Sequence, residues 1–137
     1  MTIDIRQPWA RTGYIRVNAV EELRVAGFMT LANTGAEPDR LLAAACPAAE
    51  STEIHGIKVV GPDIAMRLLE KGIGLPADTT ITLRPRGYHL MMRGLRAPLT
   101  KGQRLPVTLT FERAGSREIE LIVEDEGVIG DETLHER

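Results

Sequence analysis

The sequence predicts an all-β domain, a sandwich or barrel of short strands, and two patterns indicate it. Groups of turn-forming residues (Gly, Pro, Asn, Asp) recur along the chain, roughly every 8–12 residues. Between these turns, apolar and polar residues alternate with a period of two, which is typical of antiparallel strands with one face toward a core. We therefore expect strands joined by short loops.

The strands are expected in the following order along the chain. The sheet begins with residues 3–11, where Pro8 favours an edge position or a bulge. Residues 26–33 and 40–46 are apolar enough to be central strands. Three later stretches alternate in the same way, residues 79–84, 107–112 and 118–123.

Two segments leave the choice of element open. Residues 17–25 could form a helical turn or an extra edge strand. Residues 64–71 contain good helix formers, but Pro62 and Gly72 confine them to about two turns at most, so we expect a short strand or a turn.

Composition limits the classes of function. A chain of 137 residues with 43% hydrophobic and 26% charged residues fits one globular domain. The net charge of −2, without a basic stripe, and the 4% aromatic content argue against nucleic acid as a partner. No apolar run suits membrane insertion, and we expect a monomer.

The two ends of the chain differ in character. The N-terminus lacks the apolar segment of a secretion signal, so we expect either a protein that stays inside the cell or a chain that follows a removed signal. Residues 124–137 hold six acids and one arginine. We therefore predict a domain over residues 1–124 and a flexible acidic tail over 125–137.

Residues 88–93 carry the most informative alternation. One face is predicted to be apolar, with Tyr88, Leu90 and Met92. The other face is predicted to meet solvent, with His89, Met91 and Arg93. A thioether is unexpected on a polar face. His89 and Met91 leave the strand roughly 6–7 Å apart, and an imidazole beside a thioether suits monovalent copper.

Further donors precede this strand. His55 lies in residues 49–57, where alternation points it outward near a strand end at Gly56. Met66 follows eleven positions after His55, and His89 follows 23 positions after Met66.

This spacing resembles the signature of the PCuAC family of periplasmic copper chaperones. His55, ten residues, Met66, twenty-two residues and then His89-Leu90-Met91 match the family pattern, with one extra residue in the second gap. Similarity extends over roughly residues 3–123 and includes residues 27–33 and 105–111. Residues 56–65 lack the additional methionines of many members.

The resemblance implies a cupredoxin-like Greek-key β-sandwich that binds one Cu(I) through His55, Met66, His89 and Met91. It also implies a periplasmic or other extracytoplasmic location. It implies delivery of copper toward the dinuclear centre of cytochrome c oxidase, either to an oxidase subunit or to a Sco-type protein. Neutral nitrogen and thioether donors favour the soft monovalent ion, and an exposed site would let the acceptor take the metal.

Other functions are weighed against this one. A metal-free interaction or adhesion sandwich, in which the His and Met positions are incidental, is the main alternative. An enzyme is not expected, because no nucleophile elbow, phosphate loop or zinc-protease helix is present. A blue-copper electron carrier needs a cysteine ligand, and Cys46 lies before His55 rather than beside the late ligand.

The other chemically notable residues are expected to be structural or to face solvent. Cys46 is expected to be a small core residue at a strand end, and Met29 and Met92 are expected in the core. Trp9 is expected to pack against the sandwich. His135 is expected to be solvated in the tail, with a secondary site for divalent copper as the alternative.

Overall fold

The computed structural model describes residues 2–17 and 20–128, which form ten β-strands and no helix. The strands are β1 (Ile3–Val17), β2 (Val20–Asn33), β3 (Asp39–Ala45), β4 (Ser51–Val60), β5 (Asp63–Leu68), β6 (Ile73–Leu75), β7 (Thr79–Leu83), β8 (His89–Arg93), β9 (Arg104–Phe111) and β10 (Gly115–Val128). The expectation of an all-β chain is confirmed. Within this part of the chain, no helix is long and apolar enough to cross a lipid bilayer.

The strands hydrogen-bond in the order β5-β4-β8-β2-β1-β10-β9-β3-β6, and β7 pairs with the last part of β2. This path folds back on itself, because β3 contacts β4 and β6 contacts β7. The two halves therefore face each other as the layers of a sandwich. The β1·β10 pair is parallel, an arrangement that alternation of side chains does not predict.

One apolar core fills the space between the layers. Its fully buried members come from both halves and include Leu31, Leu41, Leu90, Leu109 and Val123. Each such leucine contributes about 1.5–3 kcal/mol by leaving water. Met29 and Met92 are 1% and 0% exposed, and Cys46, just after β3, is 6% exposed. The core assignments of these three residues are confirmed.

The first two strands form one long hairpin. Pairing runs from Val17 opposite Val20 to Ile3 opposite Asn33. Residues 20–25 therefore extend β2, and the helical alternative for this stretch is wrong. Residues 18 and 19 lie outside the described part of the chain.

A bulge interrupts β1 at its proline. The register shifts between Arg6 and Trp9, and Gln7 has a φ of 50°. A bulge tolerates Pro8 because no ladder hydrogen bond is required there. The alternative of an edge strand is wrong, because β1 lies between β2 and β10. The extra residue reverses which face later side chains take, so Ala10 joins the main core and Trp9 turns to the opposite face.

The strand that carries His55 is longer than predicted. β4 continues past Gly56 to Val60 and turns at Gly61 into β5, so the expected end near Gly56 is wrong. The ladder passes through Gly56 without a register shift. Ile57 continues the face of His55 and pairs with Met66 of β5. A Cβ at Gly56 would lie 3.1 Å from a Leu69 methyl carbon, so this position is closely packed. For residues 64–71, the expected short strand is confirmed as β5.

The acidic tail falls largely outside this description. β10 runs through Val128 and pairs with β1 as far as Tyr14. Residues 129–137, including His135, lie beyond the described residues.

Candidate metal centre

Two histidines stand directly opposite each other on adjacent strands. His55 of β4 and His89 of β8 form a register pair in the antiparallel ladder, and such paired side chains leave the same face of a sheet. Their ring centroids are 5.4 Å apart, with the planes inclined at 66°. Sheet pairing thus brings together two imidazoles that are 34 residues apart in sequence.

The two methionines lie on this same face. Met91 follows His89 by two residues on β8, and Met66 of β5 pairs with Ile57, which follows His55 by two residues. Because strand side chains alternate, all four candidate donors point to one side. Met66 and Met91 belong to one small apolar cluster, which also contains Trp9, Ala26 and Phe28.

The site is buried, and the prediction of a solvent-facing site is wrong. His55, His89 and Met91 are 4%, 3% and 0% exposed, and Met66 is half-buried. Phe28 and Trp9 cover the face, with their ring centroids 4.6 Å apart, and Phe28 lies 6.3 Å from the His89 ring. A thioether at position 91 is therefore no anomaly, because its surroundings are apolar.

Tyr88 also departs from its prediction. It was expected to share the inward face of Leu90 and Met92, but it lies outside β8 and is 40% exposed. The ladder of β8 begins only at His89, so alternation does not extend back to Tyr88.

Each imidazole makes one hydrogen bond. His89 Nδ1 donates to the carbonyl oxygen of Gly87 over 2.9 Å. His55 Nε2 lies 2.9 Å from Oε1 of Glu53. The other two ring nitrogens, Nδ1 of His55 and Nε2 of His89, are buried and have no hydrogen-bond partner among the described residues. A buried polar atom without a hydrogen-bond partner costs about 1–3 kcal/mol of stability. Because such atoms are rare in native proteins, these two nitrogens indicate a binding site for a ligand.

Burial also controls the charge of the site. Burial is the main cause that lowers the pKa of His89 to about 4. The hydrogen bond to Gly87 acts in the opposite direction, and the neighbouring His55 lowers this pKa further. His89 is therefore neutral at pH 7 and keeps a lone pair. The hydrogen bond from His55 lowers the pKa of Glu53, and Arg93 acts in the same direction from 3.5 Å.

The family assignment follows from comparison with known proteins. The family model described as "Putative lipoprotein LpqE-like" matches residues 3–123. The chain belongs to the LpqE-like family. One relative, "Putative lipoprotein Lxx21020" of Leifsonia xyli subsp. xyli (strain CTCB07), is 32% identical over 109 residues. That alignment covers 80% of this chain and 66% of the relative, so the chain spans just under two thirds of the relative's length.

Solved structures share the fold of this LpqE-like chain. The "Copper-bound PCuAC domain from PmoF2" matches with a TM-score of 0.71 and 27% identity, over 91% of this chain and 94% of that one. The "Apo PCuAC domain from PmoF1" gives 0.73 and 25%, over 91% and 95%. The solution structure of CuI-DR1885 from Deinococcus radiodurans gives 0.64 and 25%, over 88% and 78%. The cupredoxin-like expectation is confirmed, copper appears in the names of two of these structures, and the match is to PCuAC domains rather than to an enzyme.

Sequence reasoning missed three side chains of this LpqE-like site. Glu53 was placed on the outward face with His55, and an acid two residues before a strand histidine is a usable signal for a hydrogen-bond partner. Phe28 and Trp9 gave no such signal. The place of Phe28 beside His89 depends on the pairing of β2 with β8, and the place of Trp9 beside Phe28 depends on the bulge in β1.

Proposed function

We propose that this protein is a copper carrier that binds one Cu(I) through His55, Met66, His89 and Met91. The observation that carries the proposal is the pair of buried imidazole nitrogens, Nδ1 of His55 and Nε2 of His89, that lack hydrogen-bond partners in the described chain. Both belong to rings in edge contact, beside a fully buried thioether.

The donor set favours monovalent copper over other ions. Thioether sulfur is a soft ligand that suits Cu(I), whereas hard ions such as Mg²⁺ and Ca²⁺ prefer oxygen donors. Within residues 2–17 and 20–128, no group of three or more His, Cys, Asp and Glu side chains is arranged so that it could hold a metal ion, so we assign the donors beyond the two imidazoles to the thioethers. The copper named in the titles of two matched structures supports the same ion.

Release of the metal is proposed to occur on the side of Met66. The other three donors are buried, whereas Met66 is half-buried on β5, the last strand at one end of the sheet order. Leu68, two residues further along the same face of β5, is 49% exposed. An acceptor that approaches this edge would displace Met66 first, while the histidines still hold the ion.

The destination is proposed from the family resemblance alone. The family is described as lipoproteins, which supports an extracytoplasmic location. We propose transfer to another copper protein, toward the dinuclear centre of cytochrome c oxidase through an oxidase subunit or a Sco-type protein. This step is tested by mixing the copper-loaded carrier with each metal-free acceptor. The two proteins are then separated by size-exclusion chromatography, and the copper bound to each is measured.

Anaerobic titration with Cu(I) against a competing chelator tests binding, and the chain offers a matched pair of variants. Met91→Leu removes a donor sulfur with little change in volume, and Met92→Leu makes the same change one residue away. Both methionines are 0% exposed, but Met92 points into the main core. We expect one equivalent bound by the wild type and by Met92→Leu, and at least about tenfold weaker binding by Met91→Leu.

Two results would contradict the proposal. Equal weakening by the two substitutions would mean that packing, not sulfur ligation, controls affinity. A wild-type protein that binds no Cu(I) would leave the metal-free interaction module as the better reading.

A further inference from the structure

Glu53 lies at the rim of the histidine pair and contacts one of the two rings. It precedes His55 by two residues on β4, so both side chains leave the same face of the strand. Its Oε1 lies 2.9 Å from Nε2 of His55. The Glu53 side chain is 31% exposed and that of His55 is 5% exposed, so the carboxylate lies between the buried ring and solvent.

The chemistry of this contact decides which nitrogen of His55 carries the hydrogen. An ionised carboxylate only accepts hydrogen bonds, so Nε2 must be the donor. In a neutral imidazole the other nitrogen then keeps its lone pair. That nitrogen, Nδ1, is buried and has no hydrogen-bond partner among the described residues. A hydrogen on Nδ1 would be a buried donor without an acceptor, whereas a lone pair there can bind a metal.

Arg93 orients the carboxylate. Its Nη2 lies 3.5 Å from Oε1 of Glu53, and the two residues belong to the adjacent strands β8 and β4. Both side chains are about one third exposed, so the ion pair contributes little to stability. Its effect is to hold the acceptor oxygen beside the His55 ring.

His89 uses a different hydrogen bond for the same purpose. Its Nδ1 donates to the Gly87 carbonyl oxygen, which leaves the lone pair on Nε2. The two rings therefore keep lone pairs on different nitrogens, Nδ1 of His55 and Nε2 of His89, both of which are buried. One ring is oriented by the backbone and the other by a side chain, so only the tautomer of His55 can be changed by substituting its partner.

We propose that Glu53 is a positioning residue that holds His55 in the Nε2–H tautomer and so presents Nδ1 to copper. The copper half of this inference rests on the proposed function, but the tautomer is a property of the metal-free protein. Hydrogen-bond partners of metal-bound histidines fix ring orientation and increase the basicity of the donor nitrogen, and their loss weakens metal binding by about 10–100-fold.

The test combines NMR with Cu(I) affinity. Two-bond ¹H–¹⁵N correlations of the ¹⁵N-labelled, metal-free protein at neutral pH report which ring nitrogen carries hydrogen. We expect Nε2–H for His55 and Nδ1–H for His89. In Glu53→Leu we expect a mixture of His55 tautomers and about 10–100-fold weaker Cu(I) binding.

Two further variants separate positioning from general damage. Glu53→Gln retains an oxygen that accepts from Nε2, so we expect the tautomer to persist and affinity to fall by less than about tenfold. Glu118→Leu, at an exposed position on β10, is the matched control and should match the wild type in both measurements.

The outcomes distinguish this inference from the proposed function. Hydrogen on Nδ1 of His55 in the wild type, or an unchanged tautomer and affinity in Glu53→Leu, would overturn the positioning role even if copper binds. Conversely, the expected tautomers in a protein that binds no Cu(I) would support the positioning of the ring and overturn the copper function.

Discussion

Acid should destabilise the metal-free protein through His89. The pKa of this side chain is lowered to about 4 by burial, whereas an unfolded chain has a histidine pKa of about 6.5. Between these two values the unfolded state binds a proton that the folded state does not. The free energy of unfolding therefore rises with pH in this window and falls as the solution is acidified from about pH 6.5 to about pH 4.

The size of the effect follows from the shift. Each pKa unit corresponds to about 1.4 kcal/mol, so the displacement of His89 is equivalent to about 3 kcal/mol of stability. The full contribution is present above about pH 6.5 and is lost by about pH 4, below which both states are protonated. A loss of 3 kcal/mol is a large share of the 5–15 kcal/mol typical of a natural domain.

Urea unfolding of the metal-free protein at intervals from pH 4 to pH 8 measures this contribution. Carboxyl groups also titrate near the lower end, so the measured quantity is the difference between the wild type and His89→Gln at each pH. His89→Gln is expected to lower stability at every pH because of its altered packing, but without the histidine's pH dependence. A difference that stays constant between pH 4 and pH 6.5 would refute the argument, because the folded protein would then take up the proton as readily as the unfolded chain.

Two further predictions concern the cover of the site and the turn after β5. Trp9 is the only tryptophan, and it packs in the cluster that contains Met66 and Met91. Cu(I) should therefore change its fluorescence with a one-to-one endpoint, and Trp9→Phe should abolish the signal but retain binding. An emission spectrum that bound copper does not change would contradict this placement. Gly72 has a φ of +74° and a Cβ there would strike the Leu41 backbone, so Gly72→Ala should cost more than about 3 kcal/mol in urea unfolding. Gly102→Ala, also at positive φ but with no atom near the added methyl, should cost only about 1–2 kcal/mol, and equal losses would show that the clash is relieved.

Much of the fold could be predicted because alternation remains visible in the sequence. The strand predicted around residues 79–84 matches β7 nearly to its ends, and the stretch 107–112 matches β9 except for its first three residues, since each strand has one face on the core and one in water. The expected strand end at Gly56 was wrong because Ile57, although apolar, continues the face of His55 and pairs with Met66. The expected inward position of Tyr88 was wrong because this residue lies outside the ladder of β8.

The grouping of the four candidate donors was also accessible from sequence, whereas their burial was not. Residue types and spacing indicated that His55, Met66, His89 and Met91 belong together, and the ladders of β4, β5 and β8 place all four on one face. The polar neighbour Arg93 suggested a wet surface. The buried state of the site arises from side chains on other strands.

The sequence by itself therefore determined the all-β class, the strands and the choice of imidazole and thioether donors, because these depend on residue type and on neighbours along the chain. Only the tertiary structure decided that the site is buried and which two ring nitrogens lack hydrogen-bond partners among the described residues. The extra residue at the bulge beside Pro8 turns Trp9 onto Phe28, and the register of β4 with β8 sets the two imidazoles edge to face. Both depend on which strands pair and in what register, which a one-dimensional pattern does not specify.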